Sequence, residues 1–348
     1  MDTSFPDERV TYDAHAGACG EREIAVVIVN YEGERLLPDC LDALARQTVP
    51  PAEIVVADNG SGDGSLALLR DRYPQARALP LGRNHGFGGG ANRGVAATAA
   101  PWVCVLNSDA APAPDWLEHL STVPAGDEVW SLGGALVSAS SGLVESAGDQ
   151  YTSAGHAYRL FRDRPLEELP SEPYPVFAAP GAAPVFRRDV FDALGGYEER
   201  FFLYYEDIDL ACRAQLAGYH ALVVPSARVG HRHAATTGSR ARVVFYSARN
   251  GVWCAVRCLP ALRWRSVVRG WLRRLRRREL RYKPAEAAGR AAGLAGLPRA
   301  LRERRAIQAG RAASLERIAA FLEPPRALAR PPLARPDPGA AVSVDRRG

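Results

Sequence analysis

No apolar run in this chain of 348 residues approaches the ~20 needed to span a bilayer. The N-terminus is acidic and polar and lacks the apolar stretch of a secretion signal. Cysteine is scarce and scattered. The six residues, at 19, 40, 104, 212, 254 and 258, show no metal-type pairing, which suits a reducing compartment better than a disulfide framework, and each reads as a small buried apolar side chain. These absences predict a cytoplasmic protein. No Gly-Lys-Ser/Thr occurs, so a phosphate loop of the ATPase type is excluded as well. Lysine is almost missing: Lys283 is the only one, and the basic charge is carried by arginine.

The charge that is present is unevenly distributed. Residues 1–250 carry 21 basic and 32 acidic side chains, net −11, whereas 251–348 carry 23 and 7, net +16. Two differently built parts are expected, and 47% hydrophobic content suffices for a large core. The composition predicts a loose leader over 1–22, a main domain over 23–260, a basic helical extension over 261–325 and a Pro-rich disordered tail over 326–348.

Within the main domain, "IAVVIVN" (24–30) is a continuous β-branched run of the kind that forms a buried parallel strand. "GERLLPDCLDALARQ" (33–47) places Leu36, Leu37, Cys40, Leu41 and Leu44 on one helical face. A second strand and helix follow in "AEIVVADNGSGDGS" and "SLALLRDRYP". A third strand lies in "ARALPLG", a glycine-rich turn into a helix in "GFGGGANRGVAATAA", and a fourth strand in "WVCVLNSD". This alternation predicts an α/β fold with a mostly parallel sheet flanked by helices. Ligands bind beyond the carboxyl ends of such strands, where Asn30, Tyr31, Asp58, Asn59, Asn84, Asn107, Ser108 and Asp109 fall.

Several of these residues have two readings. Asp58 could accept the imide N–H of a pyrimidine, while Asp63 or Ser65 could simply cap the following helix. The glycine cluster "GRNHGFGGGANRG" contains a loose dinucleotide-type spacing, but it follows the third strand rather than the first. It reads instead as backbone in close approach, leading into a helix N-terminus. Asp109 offers a hard oxygen ligand to a divalent cation and needs a second ligand from elsewhere. His231 in "VGHRH" can supply it, ahead of His233. In "RFFLYYEDIDLACRAQLAGY" an aromatic run feeds a helix closed by Gly218. Asp209 and Arg213 fit a helix-surface ion pair, while Glu206 and Asp207 at the helix start act as either caps or a general base.

The ordered set "VVIVNYEGERLLPDCLDAL", "VVADNGSGDGS", "NHGFGGGANRG", "VLNSDA", "PVFRRDVFDALGGYEERFFLYYEDIDLACRAQLAGY" and "VGHRH" resembles the family 2 glycosyltransferases of GT-A fold, rhamnosyltransferase-like members in particular. The resemblance covers roughly 23–258. It implies that Asp58 recognises the donor's pyrimidine. Asn30, Tyr31, Asn59, Asn84, Gly86, Phe87, Gly88, Asn92, Asn107 and Ser108 would line the nucleotide sugar. Asp109 would be the metal ligand of a DxD-type motif, joined by His231, with Mg2+ or Mn2+ as the ion. Asp207, with Glu206 beside it, would be the catalytic base of an inverting transfer. Two departures stand out: Asn107 replaces the first acid of the usual motif, and Pro184 stands where a flexible apolar residue is usual.

What the resemblance implies for substrates is a dTDP- or UDP-sugar donor, dTDP-rhamnose first, and a lipid-linked or glycan acceptor in cell-surface glycan synthesis. A nucleotidyltransferase is disfavoured because "NYEGERLL", not a basic Gly-rich loop, follows the first strand. A non-catalytic nucleotide-sugar or lipid-binding module is the other rival. Residues 263–283 interleave Trp264, Val267, Val268, Trp271, Leu272 and Leu275 with arginines. That pattern suits an interfacial helix on an anionic membrane, peripheral to the inner face, and equally a basic face packed on the main domain. No nucleic-acid-reading motif is present.

Overall fold

The computed structural model describes residues 22–232, 239–259, 264–277 and 279–322. His233, Cys19, the predicted tail and nearly all of the leader lie outside the described residues. The first part alternates strand and helix: β1 (Ile24–Asn30), α1 (Leu37–Ala45), β2 (Glu53–Asp58), α2 (Ser65–Arg72), β3 (Arg77–Pro80), α3 (Gly86–Ala96) and β4 (Trp102–Asn107). Short strands dominate the middle: β5 (Ala110–Pro112), α4 (Trp116–Thr122), β6 (Val129–Ser138), β7 (Val144–Ser146), β8 (Asp149–Tyr151), β9 (Ala157–Arg159), β10 (Tyr174–Val176) and β11 (Val185–Arg187). Then come α5 (Arg188–Ala193), α6 (Glu206–Leu216), β12 (His220–His231), α7 (Arg240–Cys258), α8 (Trp264–Arg277), α9 (Lys283–Ala295), α10 (Leu297–Ala309) and α11 (Leu315–Leu322).

The main sheet runs β3-β2-β1-β4-β11-β6-β12-β10. Strands β1 to β4 pair in parallel, β6 and β12 pair in parallel, and β11 is inserted antiparallel between β4 and β6. This is the mixed α/β architecture of the GT-A fold. The apolar run of β1 is buried on both faces, as helices on each side require. Ala25, Val27 and Val29 enter one core with α3 and α6, while Ile24, Val26 and Ile28 enter the other with Leu37, Cys40 and Leu41 of α1.

Two expectations are refined. The glycines expected in a turn lie inside α3, which starts at Gly86. They are there for space: a Cβ on Gly88 would sit 2.9 Å from the Tyr197 Cβ, and one on Gly90 would sit 2.7 Å from the Asn59 amide. The basic extension, for which packing on the main domain is one of two readings, forms a packed layer through its α9 and α10 helices. Gly289 and Gly293 let α9 lie against Ala248 and Val252 of α7, the Trp253 indole donates to the Gly293 carbonyl (3.0 Å), and Arg304 caps the carbonyls of Val256 and Leu259.

Only part of the α8 stripe is used in this packing. Val267 is fully buried, and Trp271 lies under the Arg290 guanidinium, 4.9 Å from the ring centre. Val268 and Leu272 face outward among Arg265, Arg269, Arg273 and Arg276. Among the described residues no helix is long and apolar enough to cross a membrane.

Candidate active site

Parallel register brings the chemistry to one edge. Asn30 at the end of β1 lies opposite Asp58 at the end of β2, and Val29 lies opposite Asn107 at the end of β4. The Asp58 carboxylate accepts from the Asn30 amide (2.9 Å), the Ser61 hydroxyl (2.6 Å) and the Ser61 N–H (3.0 Å). Asn30 is fully buried, and its carbonyl oxygen finds no partner within the protein. Just outside this pair the two loops are laced together: the Glu32 carboxylate accepts from Gly62 N–H, and the Asp63 carboxylate accepts from Glu34 and Ser65 N–H. Asp63 therefore holds the entry to α2 from just before its Gly64 cap position, while Asp58 is bonded to Asn30 and Ser61. Tyr31 is exposed at the mouth, 41% accessible.

The predicted donor-lining segment divides by role. Asn84 is exposed and accepts from Gly86 N–H (2.8 Å), closing the entry to α3. Asn59 ties β2 to that entry by donating to the Gly86 carbonyl (3.0 Å). Gly86, with φ +77°, has no room for a side chain beside Phe202, and Phe87 N–H donates to the Phe202 carbonyl (2.7 Å). The Phe87 ring meets Tyr197 edge-on. Asn92 spends its amide on the Tyr197 backbone, accepting from its N–H and donating to its carbonyl, both at 2.9 Å. The segment thus clamps the first half of the sheet to the stretch leading into α6, and Asn92 lies on that clamp rather than at the strand ends.

Asp109 sits in the short link between β4 and β5. Antiparallel pairing of β5 with β12 sets Ala110 opposite His231, so Asp109 and His231 are neighbours. The Asp109 carboxylate lies 3.1 Å from His231 Nε2, and Asn107 is also nearby. On the other side of the ring Nδ1 meets the Glu145 carboxylate at 2.8 Å, and Arg159 holds the other Glu145 oxygen at 2.7 Å. Burial pulls the imidazole towards neutrality, but hydrogen bonds to Asp109 and Glu145 carry it up to about 9. One carboxylate and one imidazole aimed at the same point, with the second ring nitrogen fixed by a carboxylate, form the donor set of a carboxylate–histidine–metal site. The residues fit Mg2+ or Mn2+, the remaining positions being left to a diphosphate and water. Ser108 and Asp109 also line a cavity of about 300 Å³ with Asp39, Arg46 and Arg232.

The second chemical centre is the start of α6. Asp207 is partly exposed, and its Oδ1 accepts from Ile208 N–H at 2.7 Å. Its Oδ2 faces Gly181, where a Cβ would lie only 2.6 Å away. The next residue, Ala182, accepts from Asn107 N–H (2.9 Å), so one short segment touches both the β4 terminus and Asp207. Burial pushes Asp207 upward, with Arg159 pulling it back. Glu206 is more deeply buried. Desolvation, reinforced by Asp207, drives it up to about 8, and its Oε2 has no partner. These two adjacent acids sit in unequal environments, Glu206 the more deeply buried and Asp207 partly exposed.

A strained approach sets this geometry. Phe202, Tyr204 and Tyr205 all have left-handed φ, between +63° and +71°, which costs on the order of 1–3 kcal/mol each. The buried Asn250 amide offsets this by donating to the carbonyls of Phe201, Leu203 and Tyr204, and Arg249 adds bonds to Arg200 and Phe201. Hydrogen bonds of this sort contribute about 0.5–1.5 kcal/mol each, more when charged, so they are of the right size to hold the loop.

Glu145, Arg159, Gly181 and Asn250 went unseen in the sequence, as did Asp149. Burial pushes Asp149 up to about 7 while Arg159 draws it down and Asp207 adds to the rise. The Asp149 carboxylate accepts from the Ser146 hydroxyl (2.8 Å). The expected surface pair of Asp209 and Arg213 needs correction. Asp209 is wholly inaccessible, bonded by Arg213 (2.9 Å) and by Arg257 of α7 (3.0 Å), because α7 covers that face of α6.

Residues 25–195 match the family described as Glycosyl transferase family 2. The N-acetylglucosaminyl-diphospho-decaprenol L-rhamnosyltransferase of Mycobacterium tuberculosis is 32% identical over 303 residues, covering 74% of this chain and 97% of that one. The O-antigen chain rhamnosyltransferase RfbN of Salmonella typhimurium is 29% identical over 222 residues, 61% of this chain and 67% of that one. Among solved structures, GalNAc-T7 with UDP, GalNAc and Mn2+ superposes with a TM-score of 0.57 at 19% identity, over 85% of this chain and 60% of that chain. Residues 1–349 of S. aureus TarS superpose with 0.53 at 13% identity, over 86% and 90%. These structural likenesses concern the fold.

Proposed function

The chain belongs to glycosyl transferase family 2 as a rhamnosyltransferase-like glycosyltransferase, and we propose that it moves L-rhamnose from dTDP-L-rhamnose to a lipid-linked glycan acceptor with inversion at the anomeric carbon. The reading is supported chiefly by one relationship: the 181–182 segment touches the β4 terminus through Ala182 and Asp207 through Gly181. The donor identity is supported by the names of the two rhamnosyltransferase relatives, and a diphospho-polyprenol acceptor by the first of them.

In this mechanism Asp58 and Asn30 receive the pyrimidine edge of the donor at the ends of β1 and β2. Asp207 accepts the proton of the acceptor hydroxyl as that oxygen attacks the anomeric carbon from the opposite face. The bond from that carbon to the diphosphate breaks, and its electron pair leaves with the nucleoside diphosphate. Asp109 and His231 would hold a divalent cation, which would neutralise the charge gathering on the leaving group. Glu145 and Arg159 keep the imidazole oriented, and protonated Glu206 adds no second negative charge beside the base.

The outward face of α8, with Val268 and Leu272 set among arginines, would meet an anionic membrane surface and bring the site to a lipid-borne acceptor. Incubating purified protein with dTDP-rhamnose, Mn2+ and a polyprenyl-diphospho-sugar tests the reading: a rhamnosylated lipid supports it. Transfer from UDP-sugars alone would reassign the donor.

A further inference from the structure

The described cysteines are all buried, but three of them are not isolated. Cys212 of α6 meets Cys254 and Cys258, which are one turn apart on α7, and the three sulfurs lie within 4.8 Å of one another. Asp209, one turn before Cys212, places Oδ1 3.4 Å from the Cys258 sulfur. Tyr151 projects a hydroxyl towards Cys254. That hydroxyl is fully buried and has no partner of good hydrogen-bonding geometry. Packing alone explains buried cysteines one at a time. It does not explain three thiols converging on one point, with a buried carboxylate beside one of them and an unsatisfied hydroxyl beside another.

We propose that Cys212, Cys254 and Cys258 form a three-thiolate structural Zn2+ site that staples α6 to α7, with the Asp209 carboxylate beside it. Tetrahedral zinc holds sulfur at about 2.3 Å, which sets ligand atoms roughly 3.8 Å apart, so the sulfurs need only a small inward adjustment. Thiolates select zinc over the hard ions suited to Asp109 and His231. The charge also closes. Three thiolates and a carboxylate carry four negative charges, balanced by one Zn2+ and by the guanidiniums of Arg213 and Arg257, both already bonded to Asp209. The site is distinct from the cleft, but it anchors the helix whose first turn carries Glu206 and Asp207, and the α7 helix whose Asn250 holds the strained loop.

The test uses the full chain, purified under reducing conditions, with metal alone as the probe. Metal analysis is expected to find one zinc per chain. Replacement by Co2+ is expected to give a thiolate-to-cobalt charge-transfer band with the intense visible bands of tetrahedral cobalt. The band should persist in Asp109→Ala, which leaves the cysteines untouched, and disappear in Cys212→Ala and Cys254→Ala. Absence of the band and of zinc from the folded, reduced wild-type protein would overturn the proposal, as would finding these cysteines joined in a disulfide. Because the deciding spectrum is taken on the wild-type chain, a variant that fails to fold does not rescue or sink it, and loss of transferase activity has no bearing on it.

Discussion

Gly181 and Asp207 meet so closely that a Cβ at position 181 would lie 2.6 Å from the Asp207 carboxylate. No positive φ constrains this glycine, so what it provides is space for the Asp207 carboxylate. Gly181→Ala is therefore expected to displace the carboxylate by roughly 1 Å and lower kcat about 10²-fold, while the donor Kd changes little. A variant with wild-type kcat would show that the Asp207 position is not critical.

In the proposed mechanism Glu145 acts on the cation site through His231, whose Nδ1 it meets at 2.8 Å. Its replacement by Gln removes the charge that orients Nδ1 and is expected to weaken Mn2+ binding about 10–100-fold. Titrating Mn2+ against donor binding by calorimetry measures this, and an unchanged half-saturating concentration would separate Glu145 from the site.

Asn250 satisfies three carbonyls in a loop with three left-handed residues. Asn250→Leu keeps the size and loses the donors. Stability is expected to fall by about 1–3 kcal/mol for the buried acceptors left unpaired, with a loss of kcat beyond what the unfolded fraction explains. Unchanged thermal unfolding would mean that the loop holds its shape without Asn250.

On α8, Val268 and Leu272 are 41% and 51% exposed. Truncation before this helix would also strip α9 and α10 from α7, so point changes give the cleaner comparison. Val268→Glu with Leu272→Glu is expected to abolish flotation with anionic vesicles and leave stability within about 0.5 kcal/mol of wild type. Equal flotation of both proteins would remove α8 from membrane contact.

Much of the architecture was legible because its signals are local. β1 reads as a buried strand from seven consecutive apolar or terminal residues, and the acids and amides that follow β1, β2 and β4 mark the edge where a site forms. The three-residue strands β7, β8 and β9 are too short to show a period, so Glu145, Asp149 and Arg159 carried no sign of their convergence. Asn250 looks like an ordinary polar residue in a helix, since its partners lie far away in sequence. The grouping of three cysteines carried no sign for a related reason: one belongs to α6 and two to α7, and only helix packing brings them together.

The central claim is that Asp207 removes the acceptor proton beside a donor whose diphosphate is held at Asp109. The most direct measurement is the turnover of Asp207→Asn, compared with wild type at saturating dTDP-rhamnose, Mn2+ and lipid acceptor, with donor affinity determined on the same preparation. Loss of at least about 10²-fold in kcat with donor affinity retained is the predicted result; a folded variant that transfers sugar at close to the wild-type rate would contradict the account.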